Sequence, residues 1–593
     1  MTTKFNAVTL EMLWTRLISI VDEAAAALVR TSFSTIVRES NDFACVLTDA
    51  RGRSLAQATD SIPSFIGTVP RTIKHFLKEF PAETLEPGDV LITNDIWLGT
   101  GHLPDITCAK PIFLKRKLVG FAGSVAHAPD IGGKMRSADA REVFEEGLQI
   151  PVMKVIRRGQ IDATFERFVR KNVRVPDQVM GDLWAQFTAL HLMEQRVLSV
   201  LVEQKLTTLE HLADEIHRRS EAAMRASIRA VPNGVYHHSA VCDGFEVPIE
   251  LKMAMTISDD AIAIDFAGSA AQVPRSINVC LAYTNAYTSY GVKAVLSPNI
   301  PNNEGVLRPI TVTAPAGSIL NSTPPAAGGA RALMGHFLPM MVITALAKAM
   351  PQKVMATVGS PLWCINLAGV KKNGKSFTNL FFMNGGFGAA HDRDGANVLS
   401  WPSNISSTPV EMIEQLSPLR VKHRRLRTGT GGRGQFRGGS GQEIAFENRG
   451  ESPITVAFLA ERTRNETAPA GIAGGEAGDF ACVEHVAHEE AAGGVEVGGG
   501  QPDLEVHAAV TVDLKIEKRG GEPSIRGRVW RRGGFRDDAF TPFDAERLAG
   551  GNVPTTNFTV VHGGFVAWRG RRNEQKSGIT QHFAATAADS RGA

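Results

Sequence analysis

Residues 10–57 read LEMLWTRLISIVDEAAAALVRTSFSTIVRESNDFACVLTDARGRSLAQ, and the spacing of their apolar residues changes partway along. Leu10, Leu13, Trp14, Leu17, Val21, Ala24 and Leu28 recur every three or four positions, the stripe of an amphipathic helix, with Thr9 as a candidate N-cap. From Asp42 onward the run FACVLTD and the run SLAQ are short and β-rich, and Asp49-Ala-Arg-Gly52 between them is a turn signal. A long helix feeding directly into paired strands predicts an α+β arrangement rather than a repeating βαβ unit.

The same mixture continues outward. VLITN (90–94) and LVGFAGSVAH (118–127) are strand candidates, and a helical period runs from roughly 177 to 230 with a break near Lys205-Leu-Thr-Thr208. From about 233, GVYHHSAV, VPIELKMAMTIS and AIAIDFAG form a β-meander; helices are expected over about 279–297 and 332–349, and strands with glycine-rich loops over 364–485. At 593 residues the chain exceeds what one hydrophobic core organises. The expected fold class is therefore α+β, large and multi-layered, β-rich with several long helices and more than one core. The expected divisions are 1–232, an N-terminal α+β region; 233–360, the meander plus helices; 361–485, a β-rich glycine-loop region; and 486–593, a divergent tail of weak periodicity expected to pack poorly.

Composition excludes several classes of function. With 64 basic and 61 acidic residues and 7% aromatics there is no electrostatic or stacking footprint for nucleic acid. Six cysteines with no C-x-x-C pair make neither a disulfide framework nor a zinc ribbon. The N-terminal apolar stretch contains Glu11 and Arg16, unlike a signal peptide, and Met334–Met350 is too short and too interrupted to cross a bilayer. A cytoplasmic chain with no membrane partner is the expectation.

Two glycine motifs match phosphate-binding patterns by spelling only. Gly369-Val-Lys-Lys-Asn-Gly374-Lys375-Ser376 is flanked by WCINLAGV and SFTNLFFMNGG, both strand-like, whereas a phosphate loop needs a helix after it. Asn373-Gly374 instead suits a two-residue hairpin turn. Gly429-Thr-Gly431-Gly-Arg-Gly434 lacks the crossover helix of a dinucleotide fold and reads as a glycine-rich turn. This chain is not expected to hold its own nucleotide.

The stretch with chemical content is Asn94-Asp-Ile-Trp-Leu-Gly-Thr-Gly-His102-Leu-Pro-Asp105, echoed by His127-Ala-Pro-Asp130. Both segments are H-x-P-D, and proline before the aspartate keeps each out of a helix, at strand ends or loops. Two imidazoles with carboxylates make an N/O ligand set for Mn, Zn or Fe that could lower the pKa of bound water. The same residues also suit loop hydrogen bonding, with Asp95 and Asp130 as loop caps. Arg38-Glu39-Ser40-Asn41-Asp42 reads as a second polar cluster past the first helix. Asn384-Gly-Gly-Phe-Gly388 with His391-Asp-Arg-Asp394 reads as a third, its glycines fitting either a ligand's approach or a turn.

Several long segments, in order, resemble the hydantoinase B/oxoprolinase family: RESNDFACVLTDARGRSLAQ, NDIWLGTGHLPDIT, AHAPDIGG, NVRVPDQVMGDLWAQ, SPNIPNNEGVLRPITVTAPAGS and GGFGAAHDRDGANVLSWPSNISSTPVEMIEQLSPL. The resemblance spans about residues 8–480 and takes in B-type subunits of N-methylhydantoinase, the second half of 5-oxoprolinase and acetone carboxylase alpha subunits. After 485 the chain departs from it: the TPGGGG-type segment is missing.

The resemblance implies a division of labour. A hydantoinase A-type partner subunit holds ATP and phosphorylates a cyclic amide, and this B-type chain completes the hydrolysis with a metal-bound water, in a hetero-oligomer. It also implies that His102, Asp105 and His127 hold a divalent metal, with Asp95 and Asp130 supporting the rings. Asp130 or Glu39 is then the expected general base. The alternative is the alpha subunit of an ATP-dependent ketone (acetone-type) carboxylase, which would need bicarbonate and a third, small subunit. A metal-free scaffold for the A-type subunit is the non-enzymatic alternative.

Overall fold

The first helix starts one turn before the expected cap. α1 (Ala7–Thr31) is capped by Asn6, whose Oδ1 accepts from the Thr9 amide at 2.7 Å, so Thr9 lies inside the first turn. The predicted stripe is otherwise the buried face, and half-buried Trp14 donates from Nε1 to the Leu55 carbonyl at 3.1 Å. The structure, a computed structural model, describes residues 5–461 apart from 246, 359–361, 428 and 451, and beyond them the backbone of five strand segments between 512 and 570. The rest of the tail expected at 486–593 lies outside the described residues.

After α2 (Thr35–Arg38) come β1 (Phe43–Asp49), β2 (Ser54–Gln57), α3 (Thr68–Glu79), β3 (Val90–Thr93), β4 (Asp105–Leu114), β5 (Lys117–His127), β6 (Met153–Arg157) and β7 (Gln160–Ile161). The seven strands form one sheet in the order β2-β1-β5-β4-β3-β6-β7, with antiparallel neighbours. The β1–β2 turn is pinned by Asp49, whose carboxylate accepts from the Arg51 and Arg53 amides at 3.0 and 2.9 Å. β1 is apolar from Phe43 to Leu47 because both its faces are covered: Ala44 and Val46 enter one core, and Phe43, Cys45 and Leu47 enter another.

The second of those cores is closed by α1, α4 (Ala163–Asn172), α5 (Pro176–Glu203) and α6 (Glu210–Arg229). The break between α5 and α6 falls where the sequence predicts it, with Lys205 at φ 53°. Buried Asp182 on α5 accepts from the Phe33 and Ser34 amides at 2.7 and 3.1 Å, fixing the turn that leads into α2.

On the other face lies the expected meander, β8 (Gly234–Cys242), β9 (Ile249–Ser258) and β10 (Ala261–Asp265), completed by α7 (Leu281–Leu296), α8 (Glu304–Leu307) and β11 (Ile310–Thr313). β11 pairs parallel to β10, a crossover the sequence reading does not anticipate. In β9, Leu251, Met253, Met255 and Ile257 are buried and alternate with more exposed residues, as a sheet with one wet face requires. The expected helix over 332–349 is two pieces, α9 (Ala332–Gly335) and α10 (Phe337–Ala347), jointed at His336.

β12 (Trp363–Val370) and β13 (Ser376–Met383) form the hairpin that displaces the phosphate-loop reading, although its connection runs through Lys371–Lys375 rather than two residues. α11 (Val410–Leu416), β14 (Leu419–Arg427), β15 (Gly441–Asn448) and β16 (Ile454–Leu459) follow. These strands close a third core around Phe381, Phe446 and Phe458. The second glycine motif is the loop between antiparallel β14 and β15, so a strand and not a helix comes directly after it. The fold is multi-sheet α+β with three hydrophobic cores among the described residues.

Candidate metal centre

Asp105 opens β4 and His127 closes β5, and the antiparallel register sets them directly opposite one another. Asp105 Oδ1 lies 3.1 Å from His127 Nδ1. His102 precedes β4 by one tight turn, in which the Asp105 amide donates to the His102 carbonyl at 3.4 Å. Asn94 pins that turn from below, donating to the Leu103 and Leu148 carbonyls at 2.8 and 2.9 Å and accepting from the Ile150 amide at 2.6 Å. Gly101 has φ +90°, and a Cβ there would meet Arg331 Cδ at 2.9 Å and Cys280 Sγ at 3.0 Å, so the approach requires glycine. One ligand atom from each of His102, Asp105 and His127 falls within 4.8 Å of the others, and all three residues are buried.

The electrostatics favour a cation among them. His102 Nδ1 lies 3.2 Å from the Gly329 carbonyl; donation there leaves Nε2 with a lone pair. That Nε2 approaches Asp105 Oδ1 to 2.7 Å without hydrogen-bond geometry and has no other partner among the described residues. Two lone pairs facing each other away from water repel, and a cation between them removes the repulsion. Burial, then Arg331, hold the His102 imidazole well below its ordinary value, so it is in the neutral, ligating form. Burial opposes ionisation of Asp105, but the Arg331 charge and the His127 hydrogen bond outweigh it and keep the carboxyl well below the usual range. Buried Asp42 places Oδ2 3.7 Å from His127 Nδ1, and burial, with repulsion from Asp105, pushes it up to about 6.

A family model described as Hydantoinase B/oxoprolinase matches residues 6–521. The chain belongs to the Hydantoinase B/oxoprolinase family. It is 31% identical over 502 residues to a chain from Pseudomonas sp. (strain NS671) named as the B-type component of a D-/L-hydantoinase, spanning 80% of this chain and 83% of that one. Its structure is similar to that of the ATP-dependent caprolactamase from Pseudomonas jessenii, with TM-score 0.70 and 25% identity over 77% of this chain and 80% of that one. It also shares its fold with acetone carboxylase, with TM-score 0.71 and 21% identity over 76% of this chain and 63% of that one.

In this Hydantoinase B/oxoprolinase chain, sequence reading misses the residue that completes the charge balance. Arg331 arrives from 226 residues away, donating from a terminal guanidinium nitrogen to Asp105 Oδ2 at 2.7 Å and from Nε to the Thr100 carbonyl at 2.5 Å. It also stacks 4.2 Å above the Tyr283 ring. The signal available is Gly328-Gly329-Ala-Arg331, a charged residue just beyond paired glycines in an apolar stretch. Asp42 stands in the second polar cluster, where the sequence alone gives no reason to prefer it to its neighbours.

The other expected residues have different fates. Asp95 is a loop cap, its carboxylate accepting from the Trp97 amide at 2.9 Å. Glu39 is half-buried and ends α2, and no hydrogen bond or ion pair among the described residues joins it to the triad. Asp130 does reach the neighbouring cleft. Its Oδ1 accepts from the Gly132 amide at 3.2 Å and from Arg174 at 2.7 Å, and its Oδ2 accepts from the Arg174 amide. Both oxygens are thereby engaged. The glycines of the third cluster serve backbone packing: a Cβ on Gly386 would meet the Gly439 carbonyl at 1.8 Å.

The cleft has a volume of about 70 Å³ and runs from His127 past Pro104, Asp130, Arg136 and Glu146 to Leu380 on β13. Lys134 and Arg174 on its wall are paired with Glu145 and Asp130, and Arg136 donates from Nε to the Gly329 carbonyl at 3.0 Å. The family, the buried N/O set and an adjoining cleft with cations on its wall are thus found in one place.

Proposed function

We propose that this chain is the B-type subunit of an ATP-dependent cyclic-amide hydrolase, completing hydrolysis of a ring phosphorylated by an A-type partner. The observation that carries this reading is the orphaned His102 Nε2, facing Asp105 in a buried set that opens at His127 onto a cleft. Names among its relatives, the B-type component of a hydantoinase and an ATP-dependent caprolactamase, agree with a lactam-type substrate and with a second subunit.

His102, Asp105 and His127 would hold a divalent cation, with Asp42 as a further oxygen donor. Such an ion, when bound, lowers the pKa of water and polarises a carbonyl or phosphoryl oxygen. The chain's own groups do the rest. Gly329 fixes the His102 tautomer through its carbonyl, and Arg331 keeps Asp105 ionised and oriented. Asp130 holds Arg174 at the cleft wall, where it and Arg136 suit a phosphate on the activated ring. Unactivated amides resist water because nitrogen donates into the carbonyl, so the partner's phosphorylation supplies the electrophilic activation of the ring carbon that this cleft lacks.

Purified with its A-type partner, the chain should release ADP only when a lactam is present, and the ring-opened acid should accumulate. Elemental analysis should find about one divalent metal per chain, lost in His127→Ala. Lactam-independent ATP loss without ring opening would overturn the reading. Bicarbonate-dependent consumption of a ketone would replace it with the carboxylase.

A further inference from the structure

Asp130 and Glu146 are the two carboxylates that line the cleft, and only Glu146 keeps an oxygen free. Glu146 follows the short 3₁₀ turn Val143–Glu145 and is 6% exposed. Its Oε1 accepts from the Gly329 amide at 2.6 Å and from the Ser276 hydroxyl. Its Oε2 is buried with no hydrogen-bond partner among the described residues. A Cβ on Gly329 would meet Glu146 Oε1 and Ser276 Oγ, each at 2.9 Å, so this contact needs glycine. The same Gly329 peptide therefore grips the glutamate through its N–H and the His102 ring through its carbonyl.

We propose that Glu146 is the proton carrier of the cleft, taking protons from the attacking water and delivering them to the departing ring nitrogen. This rests on the lactam-opening reading above. The partner's product is a ring carbon bearing phosphate oxygen and doubly bonded to nitrogen. Water adds its oxygen to that carbon, one proton passes to the Glu146 carboxylate, and the same proton goes to the ring nitrogen. As the C–N bond breaks, the hydroxyl proton follows by the same route. The products are an acyl phosphate and a free amine, Glu146 is again a carboxylate, and both protons of the water reside on nitrogen. A second water then hydrolyses the acyl phosphate.

The surroundings suit a group that exchanges protons. Burial raises the Glu146 carboxyl above its ordinary value, opposed by the Ser276 hydroxyl, the Gly329 and Gly328 amides and the Arg331 charge. His127, Lys134, Arg136, Arg174 and Asp130 share the cleft with it. Asp105, by contrast, is locked as an anion by its partners and is a poor base.

The test uses the complex of both subunits. Glu146→Gln keeps the acceptor for Ser276 and Gly329 but carries no proton. Ring opening should fall about 10²–10⁴-fold while metal content is unchanged and lactam still triggers ADP release. An infrared carboxylic-acid band that grows in the wild-type chain as pH is lowered, and is absent in Glu146→Gln, should report the residue directly. Ser276→Ala removes a donor to the anion, so the Glu146-dependent limb of the kcat/KM profile should move up by about one pH unit. Ring opening within about threefold of wild type in Glu146→Gln overturns the proposal, as does an unmoved limb in Ser276→Ala. A wild-type complex that opens no lactam overturns the functional reading first, and this chemistry with it.

Discussion

His102-Leu-Pro-Asp105 and His127-Ala-Pro-Asp130 carry the same pattern, yet the first contributes its histidine and its aspartate to the buried triad and the second only its histidine. Strand polarity makes the difference. The first motif runs into β4, so its aspartate is the strand's first residue; the second runs out of β5, so its histidine is the last. Antiparallel pairing sets those two residues opposite each other and leaves His102 and Asp130 outside the ladder. A tight turn folds His102 back, whereas Asp130 continues outward to Arg174. The lesson is that a metal-type motif is read from each residue's place relative to a strand end.

The largest effect is expected from breaking the first motif. Asp105→Ala removes the carboxylate between both imidazoles and leaves Arg331 buried without its partner. Truncating one side of such a pair costs about 3–5 kcal/mol. Denaturant unfolding should show that loss, and elemental analysis should show metal at background, with ring opening reduced more than about a hundredfold. A variant that keeps its metal would mean that Asp105 is only a structural partner of Arg331.

Arg331→Lys keeps the charge but not the planar fork that reaches Thr100, Asp105 and the Tyr283 face together. A loss of about 2 kcal/mol is expected, together with weaker metal retention during dialysis against chelator. Unchanged retention would show that Asp105 is oriented by the strand ladder alone.

A buried cation without a carboxylate should behave in the opposite way. Lys293 on α7 is 8% exposed, no ion pair to it is found among the described residues, and burial pushes its pKa down to about 8. An unfolded lysine, titrating near 10.4, binds more protons between those values than the folded one, so stability should rise with pH from about 8 to 10.4. Lys293→Met should raise stability at pH 7 by about 1–3 kcal/mol and abolish that rise. Equal slopes for both proteins would show that the ammonium is hydrated in the fold.

Much of this architecture is legible in the sequence because it is local. The α1 stripe, the β1–β2 turn at Asp49 and the β8–β10 meander each announce themselves within one continuous stretch of chain. α4, by contrast, is short and heavily charged (ATFERFVRKN), and α11 has only one buried apolar residue, so neither carries a long stripe. The triad's ligands are legible because one hairpin holds them. Arg331, Ser276 and Gly329 are not, since their contacts cross 226, 130 and 183 residues respectively and no periodicity encodes a separation of that kind.

Asp130→Asn gives the smallest effect and the sharpest test of the two motifs. The amide oxygen still accepts from Gly132 and the Arg174 side chain, but the new NH2 cannot accept from the Arg174 backbone amide, and the charge opposite a 37% exposed Arg174 side chain is gone. Partly exposed pairs of this kind contribute about 0.2–1 kcal/mol and a hydrogen bond about 0.5–1.5 kcal/mol, so a loss of about 1–2 kcal/mol is expected. Metal content should match wild type, and ring opening should change only through looser placement of Arg174 at the cleft wall, seen as a higher KM with little change in kcat. Loss of metal in Asp130→Asn would mean that the second motif supplies its carboxylate to the cation after all, and the strand-polarity argument would fail at the residue that most distinguishes the two motifs.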